Sequence, residues 1–152
     1  MEIDQIVQQI QYALAPAIMI SSSGLLLLGF QNKFSALFNR FRMLNQEKRI
    51  LAEKTNRTKT ENGRLENVQE QLPRLVKRAG HVKNAIVLTY AAIVSFVITC
   101  VLLFLNSYSK TQLIHATLFF CLLGLVFILI SAFFMIAEVM ISYHILTLEQ
   151  KS

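Results

Sequence analysis

"LAPAIMISSSGLLLLGFQNK", residues 14–33, is the stretch that decides the fold. It is apolar enough to cross a membrane, since a spanning helix requires about 20 mostly apolar residues. Its centre nevertheless holds three consecutive serines and a glycine, and Pro16 lies near its start. Three explanations are open for these small polar residues: a helix-packing seam, the lining of a pore, or a chemical site.

The placement of charged residues predicts two further spans. Hydrophobic residues make up 54% of the chain and charged residues 16%, against roughly a quarter charged in typical globular proteins. Three windows contain no Asp, Glu, Lys or Arg: residues 5–32, 84–109 and 111–137. Each is longer than the about 20 residues that a spanning helix needs. The sequence therefore predicts an all-α integral membrane protein with three transmembrane helices.

The basic residues predict the orientation of these helices. Thirteen of the 15 Lys and Arg residues lie in residues 33–83, and none precedes the first span. Because basic loops stay in the cytoplasm, the N-terminus is expected outside and the C-terminus inside. The net charge of +6 is then explained by topology and by anionic lipid headgroups as partners of the basic segment. No nucleic-acid partner is predicted.

The pattern of apolar residues divides the chain further. Apolar positions at helical spacing continue past the first span to about Glu53, and they resume at Leu65 after a polar turn at residues 54–64. Pro16 is expected near the first turn of the first span, and Pro73 is expected to start, kink or interrupt the returning helix. The predicted organisation is an external amphipathic lead-in at 1–11, a first transmembrane helix at 12–32, a basic cytoplasmic antiparallel helical hairpin at 33–83, a second transmembrane helix at 84–106, an external turn at 107–115, a third transmembrane helix at 116–138 and a cytoplasmic helix extension at 139–152.

Each predicted span carries a stripe of small or polar residues. Small residues allow helix backbones to approach closely, and serine hydroxyls can donate to the carbonyl one turn earlier. The stripes therefore predict a helix-packing seam, with a pore lining as the alternative, within one protomer or around a symmetry axis. The candidate seam residues are Ala17, Ser21, Ser22, Gly24, Gly29, Ser95, Thr99, Gly124 and Ser131.

Glu138 is the one acidic residue near the end of the third span. An ionisable group within a span is by default a functional hypothesis, here a proton or cation site. Its place near the inner boundary favours instead a structural ion pair that ties the third helix to the base of the hairpin. The candidate inner-boundary partners are Lys33, Lys83, Arg40 and Arg42.

No residue pattern predicts a catalytic, cofactor or metal site. His115 is expected outside, whereas His81 and His144 are expected inside, so the three cannot share one metal. Cys100 and Cys121 lie in predicted spans without metal-ligand spacing, and no nucleotide-binding or H-E-x-x-H motif occurs. The prediction is that the protein is not an enzyme and has no cofactor.

Residues 14–48 resemble the signature segment of a bacterial family of short, three-span membrane proteins catalogued as a domain of unknown function. The resemblance rests on "LAPA" at 14–17, "ISSSGL" at 20–25, "NK" at 32–33, Arg40 with Arg42, and Leu44 with Glu47. "KRAGHVKNAI" at 77–86 and Glu138 resemble later parts of that family. The resemblance implies a bacterial cytoplasmic-membrane location and three spans, and it supplies no activity.

Two functions follow as hypotheses. The first is a homo-oligomeric scaffold or interaction protein, with the hairpin as a surface on which another protein docks. The second is an oligomeric channel or transporter for ions or small solutes, with the serine-bearing stripe facing the axis. The orientation of Ser21, Ser22 and Glu138 distinguishes the two.

Overall fold

A computed structural model describes residues 2–54, 58–108 and 113–149, and their side chains at 7, 10–12, 14–54, 58–106 and 113–142. These residues form three α-helices: α1 (Glu2–Glu53), α2 (Lys59–Tyr108) and α3 (Ile114–Glu149). The described part of the chain contains no strand. All three helices are long and apolar enough to cross a membrane, which fits a multi-pass membrane protein and confirms the predicted helical class.

α1 is one helix of 52 residues. It runs through the expected boundary between the lead-in and the first span, so Pro16 lies inside the helix and not near its first turn. The expectation for Pro16 was therefore wrong. Proline is tolerated inside membrane helices because neighbouring groups and local adjustments satisfy the backbone. The buried residues of α1 recur every seven residues or multiples of seven: Pro16, Ser23, Leu37 and Leu51.

α2 begins at Lys59, six residues before the expected restart at Leu65. Pro73 lies inside α2 and neither starts nor interrupts it. Thr58 caps this helix: its carbonyl accepts the Asn62 N–H at 3.1 Å, and its own N–H donates to Glu61 Oε2 at 3.0 Å. This is one of the two bonds of a capping box: the carboxylate of the acid three residues after the cap accepts from the backbone N–H of the cap residue. The polar run at 54–64 is therefore partly helical.

Glu61 also accepts a hydrogen bond from the Lys54 ammonium at 2.6 Å. The hydrogen bonds from Lys54 and then from Thr58 lower the pKa of this exposed carboxyl to about 2. Glu61 lies outside all three charge-free windows. Residues 55–57, 109–112 and 150–152 lie outside the described residues, and with them parts of the expected turns and of the C-terminal extension.

The chain forms two compact units. The first comprises Met1–Gly29 and Ala85–Phe133, and the second comprises Phe30–Asn84 and Phe134–Ser152. Each of the three helices contributes a part to both units. Phe96, Ala85 and Ala92 are fully buried in the first unit, whereas Val68 and Val82 are fully or nearly fully buried in the second.

Candidate functional site

A cluster of two hydroxyls and one carbonyl joins α2 to α3 in the first unit. Thr89 Oγ1 donates to Ala85 O at 2.8 Å, Ser131 Oγ donates to the same carbonyl at 2.9 Å, and the two hydroxyl oxygens are 2.8 Å apart. Both side chains are almost completely buried. We call Ala85, Thr89 and Ser131 the hydroxyl cluster. It satisfies buried polar groups without introducing a charge.

Gly124 provides the second point of close approach in the first unit. A Cβ added at Gly124 would lie 2.6 Å from Phe96 Cε1 and 2.9 Å from Phe96 Cδ1. Phe96 is fully buried, so its ring fills the space that the missing side chain leaves. The α2 and α3 residues here pack against each other and leave no room for an aqueous path at this point.

The predicted seam residues of α2 and α3 are all buried. Ser95 Oγ donates to Ala91 O at 2.9 Å, and Thr99 Oγ1 donates to Ser95 O at 2.9 Å. Together with Gly124 and Ser131 they lie inside the first unit. Hydroxyls that donate to their own helix satisfy their polarity one turn back, which suits a packing role better than a lining role.

The predicted seam residues of α1 have a different position. Ala17, Ser21, Ser22, Gly24 and Gly29, which we call the small-residue face, are exposed in the single chain. A Cβ added at Gly24 or Gly29 would meet no atom within 4 Å. The serine that α1 buries is Ser23, whose hydroxyl donates to Met19 O at 2.7 Å. The seven-residue spacing from Pro16 through Ser23 to Leu37 was the signal that could have identified it.

A buried ionic cluster lies in the second unit around Glu138, whose side chain is fully buried. Arg78 donates to Glu138 Oε1 from Nε at 3.2 Å and from Nη2 at 3.0 Å. The Lys33 ammonium is in ion-pair contact with Oε2, which accepts no hydrogen bond of regular geometry. Ser142 Oγ lies 2.8 Å from Oε1 and also donates to Glu138 O at 2.9 Å. We call Lys33, Arg78, Glu138 and Ser142 the ionic cluster.

The ionic cluster contains one predicted cation, Lys33, and one cation that the sequence analysis missed; the Ser142 hydroxyl was missed as well. Lys33 contacts Glu138, whereas Lys83, Arg40 and Arg42 are exposed and are not among its observed partners. The missed cation is Arg78. It precedes buried Ala85, Ala92 and Thr99 at seven-residue spacing in α2, as Glu138 follows Thr117, Gly124 and Ser131 in α3. Extending the α2 series by one step would have found it.

The arrangement restricts what Glu138 can do. One carboxylate receives two protein cations, so the cluster carries a net charge of +1 and would repel a further cation. A structural ion pair explains this geometry better than a cation-binding site does. Among the residues that the structure describes, no group of three or more His, Cys, Asp or Glu could hold a metal ion.

The fold and the two buried clusters define a helical protein whose three helices suit a multi-pass membrane arrangement. The chain belongs to the family described as Protein of unknown function (DUF2721), which matches residues 13–148. This match confirms the expected membership of a family of unknown function. No curated protein and no solved structure shows a significant match to the chain.

Proposed function

We propose that this protein is a homo-oligomeric scaffold of the bacterial cytoplasmic membrane, without enzymatic activity. Its N-terminus lies outside, and residues 12–32, 84–106 and 116–138 cross the bilayer. Residues 33–83 form an antiparallel helical hairpin in the cytoplasm, on which another protein docks. The concentration of thirteen of the 15 basic residues in 33–83 supports this orientation, because basic segments are retained inside.

Contacts between α1 and α2 support the hairpin. Arg64 of α2 donates to both carboxylate oxygens of Glu47 in α1, at 2.7 and 3.4 Å. Leu37 of α1 and Leu75 of α2 are buried and line the same hollow. A bidentate Arg–carboxylate pair fixes geometry as well as charge, so this pair holds the two helices in register near their connection.

The exposed small-residue face carries the oligomer proposal. Lipid-facing positions are usually filled by large aliphatic side chains, whereas small residues concentrate where helix backbones approach closely. Ala17, Ser21 and Gly24 are exposed within the charge-free window 5–32. Ser21 Oγ donates to Ala17 O at 3.3 Å, so its hydroxyl is satisfied without water. A second copy of α1 is the surface that fits this face best.

Stoichiometry in a bilayer tests the oligomer. The full chain is placed in nanodiscs, and the mass of the assembly is measured for the unsubstituted protein and for Gly24→Leu. This substitution puts a large side chain on the small-residue face, where the two backbones would approach most closely. We expect the substituted protein to dissociate toward monomer. Val94→Leu, an exposed position of α2 in another charge-free window, is the matched control and should keep the oligomer. A monomeric unsubstituted protein contradicts the proposal.

A channel or transporter for ions or small solutes is the second candidate. The observation that favours it is that Ser21 and Ser22 are both exposed within a charge-free window. Exposed Leu25 and Leu28 on the same stretch would narrow any path. Conductance in planar bilayers, compared between the unsubstituted chain and Ser22→Leu, decides this: a conductance that Ser22→Leu abolishes supports the channel.

A further inference from the structure

A hollow surface in two parts lies along α1 in the second unit. Its first part, of about 160 Å³, is lined by Phe34, Phe38 and Phe41 of α1 and by Leu75, Val76 and Ala79 of α2. Its second part, of about 440 Å³, is lined by α1 residues Arg42, Asn45, Gln46, Arg49, Ile50 and Glu53. Phe38 of the first part and Arg42 of the second are about one helical turn apart in α1. We call this surface the groove.

The first part of the groove presents apolar side chains outside the charge-free windows. Phe38 is 51% exposed and Val76 is 56% exposed, and both lie between the spans proposed above. Each square ångström of apolar surface left in water costs about 25 cal/mol relative to burial. An aromatic-lined hollow bordered by polar residues is typical of an interaction site, not of a surface that faces only water.

The second part of the groove indicates the charge of the partner. Arg42 and Arg49 are exposed arginines that line it, against one acidic residue, Glu53. Asn45 and Gln46 lie between the arginines and offer amide donors and acceptors. Guanidinium groups recognise carboxylates through paired hydrogen bonds. The groove therefore combines an apolar anchor point with a stretch of net positive charge, which fits an acidic partner.

A second copy of the chain is a poorer occupant of this surface. In a symmetric contact through this surface, two copies inserted with the same orientation would meet groove to groove with their α1 helices parallel. The arginines of one groove would then face the arginines of the other, and like charges in register disfavour association. A right-handed crossing of about −40° at the small-residue face, usual for such motifs, also separates the helices beyond it.

We propose that the groove binds an acidic amphipathic helix of another protein. Its apolar residues occupy the hollow at Phe34, Phe38 and Val76, and its carboxylates pair with Arg42 and Arg49. A helix of about 20 residues matches the length of residues 34–53 at 1.5 Å per residue. This inference identifies the chemistry of the docking partner and rests on the scaffold function proposed above.

Binding of two defined peptides tests the proposal. One is a labelled synthetic helix of about 20 residues with leucines at i, i+3, i+4 and i+7 and glutamates elsewhere, the spacing used by helices that bind in grooves. The other has lysine in place of each glutamate. Each is titrated by fluorescence anisotropy onto the full chain in zwitterionic nanodiscs, with empty nanodiscs as the blank. We expect the acidic peptide to bind at least about tenfold more tightly.

Substitutions in the groove locate the binding. Phe38→Ser and the pair Arg42→Glu with Arg49→Glu should each weaken binding of the acidic peptide by about tenfold or more, as expected for anchor residues. Met43→Ser and Arg40→Glu are the matched controls, since both residues are exposed on α1 but do not line the groove. Their effects should stay below about twofold, and thermal unfolding confirms that every variant is folded.

Three results would overturn the proposal. The first is no saturable binding of the acidic peptide up to about 1 mM. The second is equal binding of the two peptides, or equal loss with groove and control variants. The third is a change of oligomeric mass with Phe38→Ser, which would show that a second copy occupies the groove.

Nanodiscs expose both membrane faces, so these results do not depend on the proposed topology. Failure of the oligomer would appear separately in the Gly24→Leu masses.

Discussion

The hydroxyl cluster and the ionic cluster bury polar groups by different means. In the first unit, Thr89 and Ser131 share the Ala85 carbonyl within 2.9 Å and carry no charge. In the second unit, Glu138 is fully buried as a charged group and is contacted by Lys33 and Arg78. The neutral cluster lies within the charge-free windows, whereas the ionic cluster lies outside them: Lys33 and Glu138 directly border two of the windows, and Arg78 precedes the window at 84–109.

The difference follows from the energetics of burial. A buried hydroxyl can donate its hydrogen bond to a carbonyl of its own helix. Removing it therefore costs little unfolding free energy, because the neighbouring polar groups keep their own partners. A buried carboxylate requires partners, and removing one partner leaves the others uncompensated. The ionic cluster should therefore be more sensitive to substitution than the hydroxyl cluster, and the Glu138 and Ser131 variants below test this order.

The largest effect is expected for Glu138→Gln. The substitution leaves Arg78 and Lys33 without their carboxylate, and breaking a buried ion pair costs about 3 kcal/mol or more. Thermal unfolding in nanodiscs should show a clearly lowered midpoint. Glu70→Gln is the matched control, because Glu70 makes an exposed pair with Arg74 at 3.9 Å, and such pairs contribute at most about 1 kcal/mol. Unchanged stability with lost transport would instead support a functional site.

The second effect is expected for Gly124→Ala. The added Cβ would lie 2.6 Å from the buried Phe96 ring, and overpacking of this kind costs about 1–3 kcal/mol. Gly63→Ala is the control: its added Cβ meets no atom within 4 Å, and it should be neutral or slightly stabilising, because alanine favours helix over glycine by up to about 1 kcal/mol. Phe96→Leu combined with Gly124→Ala should recover part of the loss. Equal unfolding midpoints for the two alanine variants would contradict the close contact.

A smaller effect is expected for Ser131→Ala. Thr89 still donates to Ala85 O after this change. The loss is therefore limited to the bond from Ser131 to Ala85 O and its contact with the Thr89 hydroxyl, and an interhelical hydrogen bond in a membrane protein is worth about 0.6 kcal/mol. Unfolding of Ser131→Ala, Thr89→Val and the double variant gives the coupling between the two hydroxyls. Ser95→Ala, which removes a bond to its own helix, is the control. If Ser131→Ala loses as much unfolding free energy as Glu138→Gln, the expected order of the two clusters is wrong.

The smallest effect is expected at the exposed Glu61. Its pKa of about 2 lies below the ordinary value of 4.5, so its stabilising contribution is present above pH 4.5 and is lost as the pH falls toward 2. Carboxyl NMR titration should show the lowered pKa directly. Lys54→Ala should raise it toward the ordinary value, whereas Arg64→Ala, which removes the partner of Glu47, should leave it unchanged. A pKa near 4.5 in the unsubstituted chain would contradict the cap contacts.

The helix bounds show where sequence patterns mislead. The polar run at 54–64 predicts a turn by composition, but α2 begins at Lys59 because Thr58 and Glu61 make one of the two bonds of a capping box. Pro16 was expected near the first turn of a helix and Pro73 at a start, kink or interruption, yet both lie inside helices. Local propensity is overridden here because long helices are stabilised by packing along their whole length.

The charge-free windows and the small or polar stripes of α2 and α3 were readable from the sequence. Hydropathy determines that a segment suits a bilayer, and seven-residue spacing determines which residues of a helix share a side. The sequence thus placed Ser95, Thr99, Gly124, Ser131 and Glu138 on candidate packing stripes, and all five are buried.

Only the tertiary structure decided which partners these stripes meet. It selected Ser23 over Ser21 and Ser22 for burial in α1, and Arg78 over Lys83 as a partner of Glu138. Periodicity defines the sides of one helix but not the rotation of that helix against its neighbours, which depends on side-chain packing between segments distant in the sequence. That rotation leaves the small-residue face of α1 exposed in the single chain, where we propose that a second copy packs.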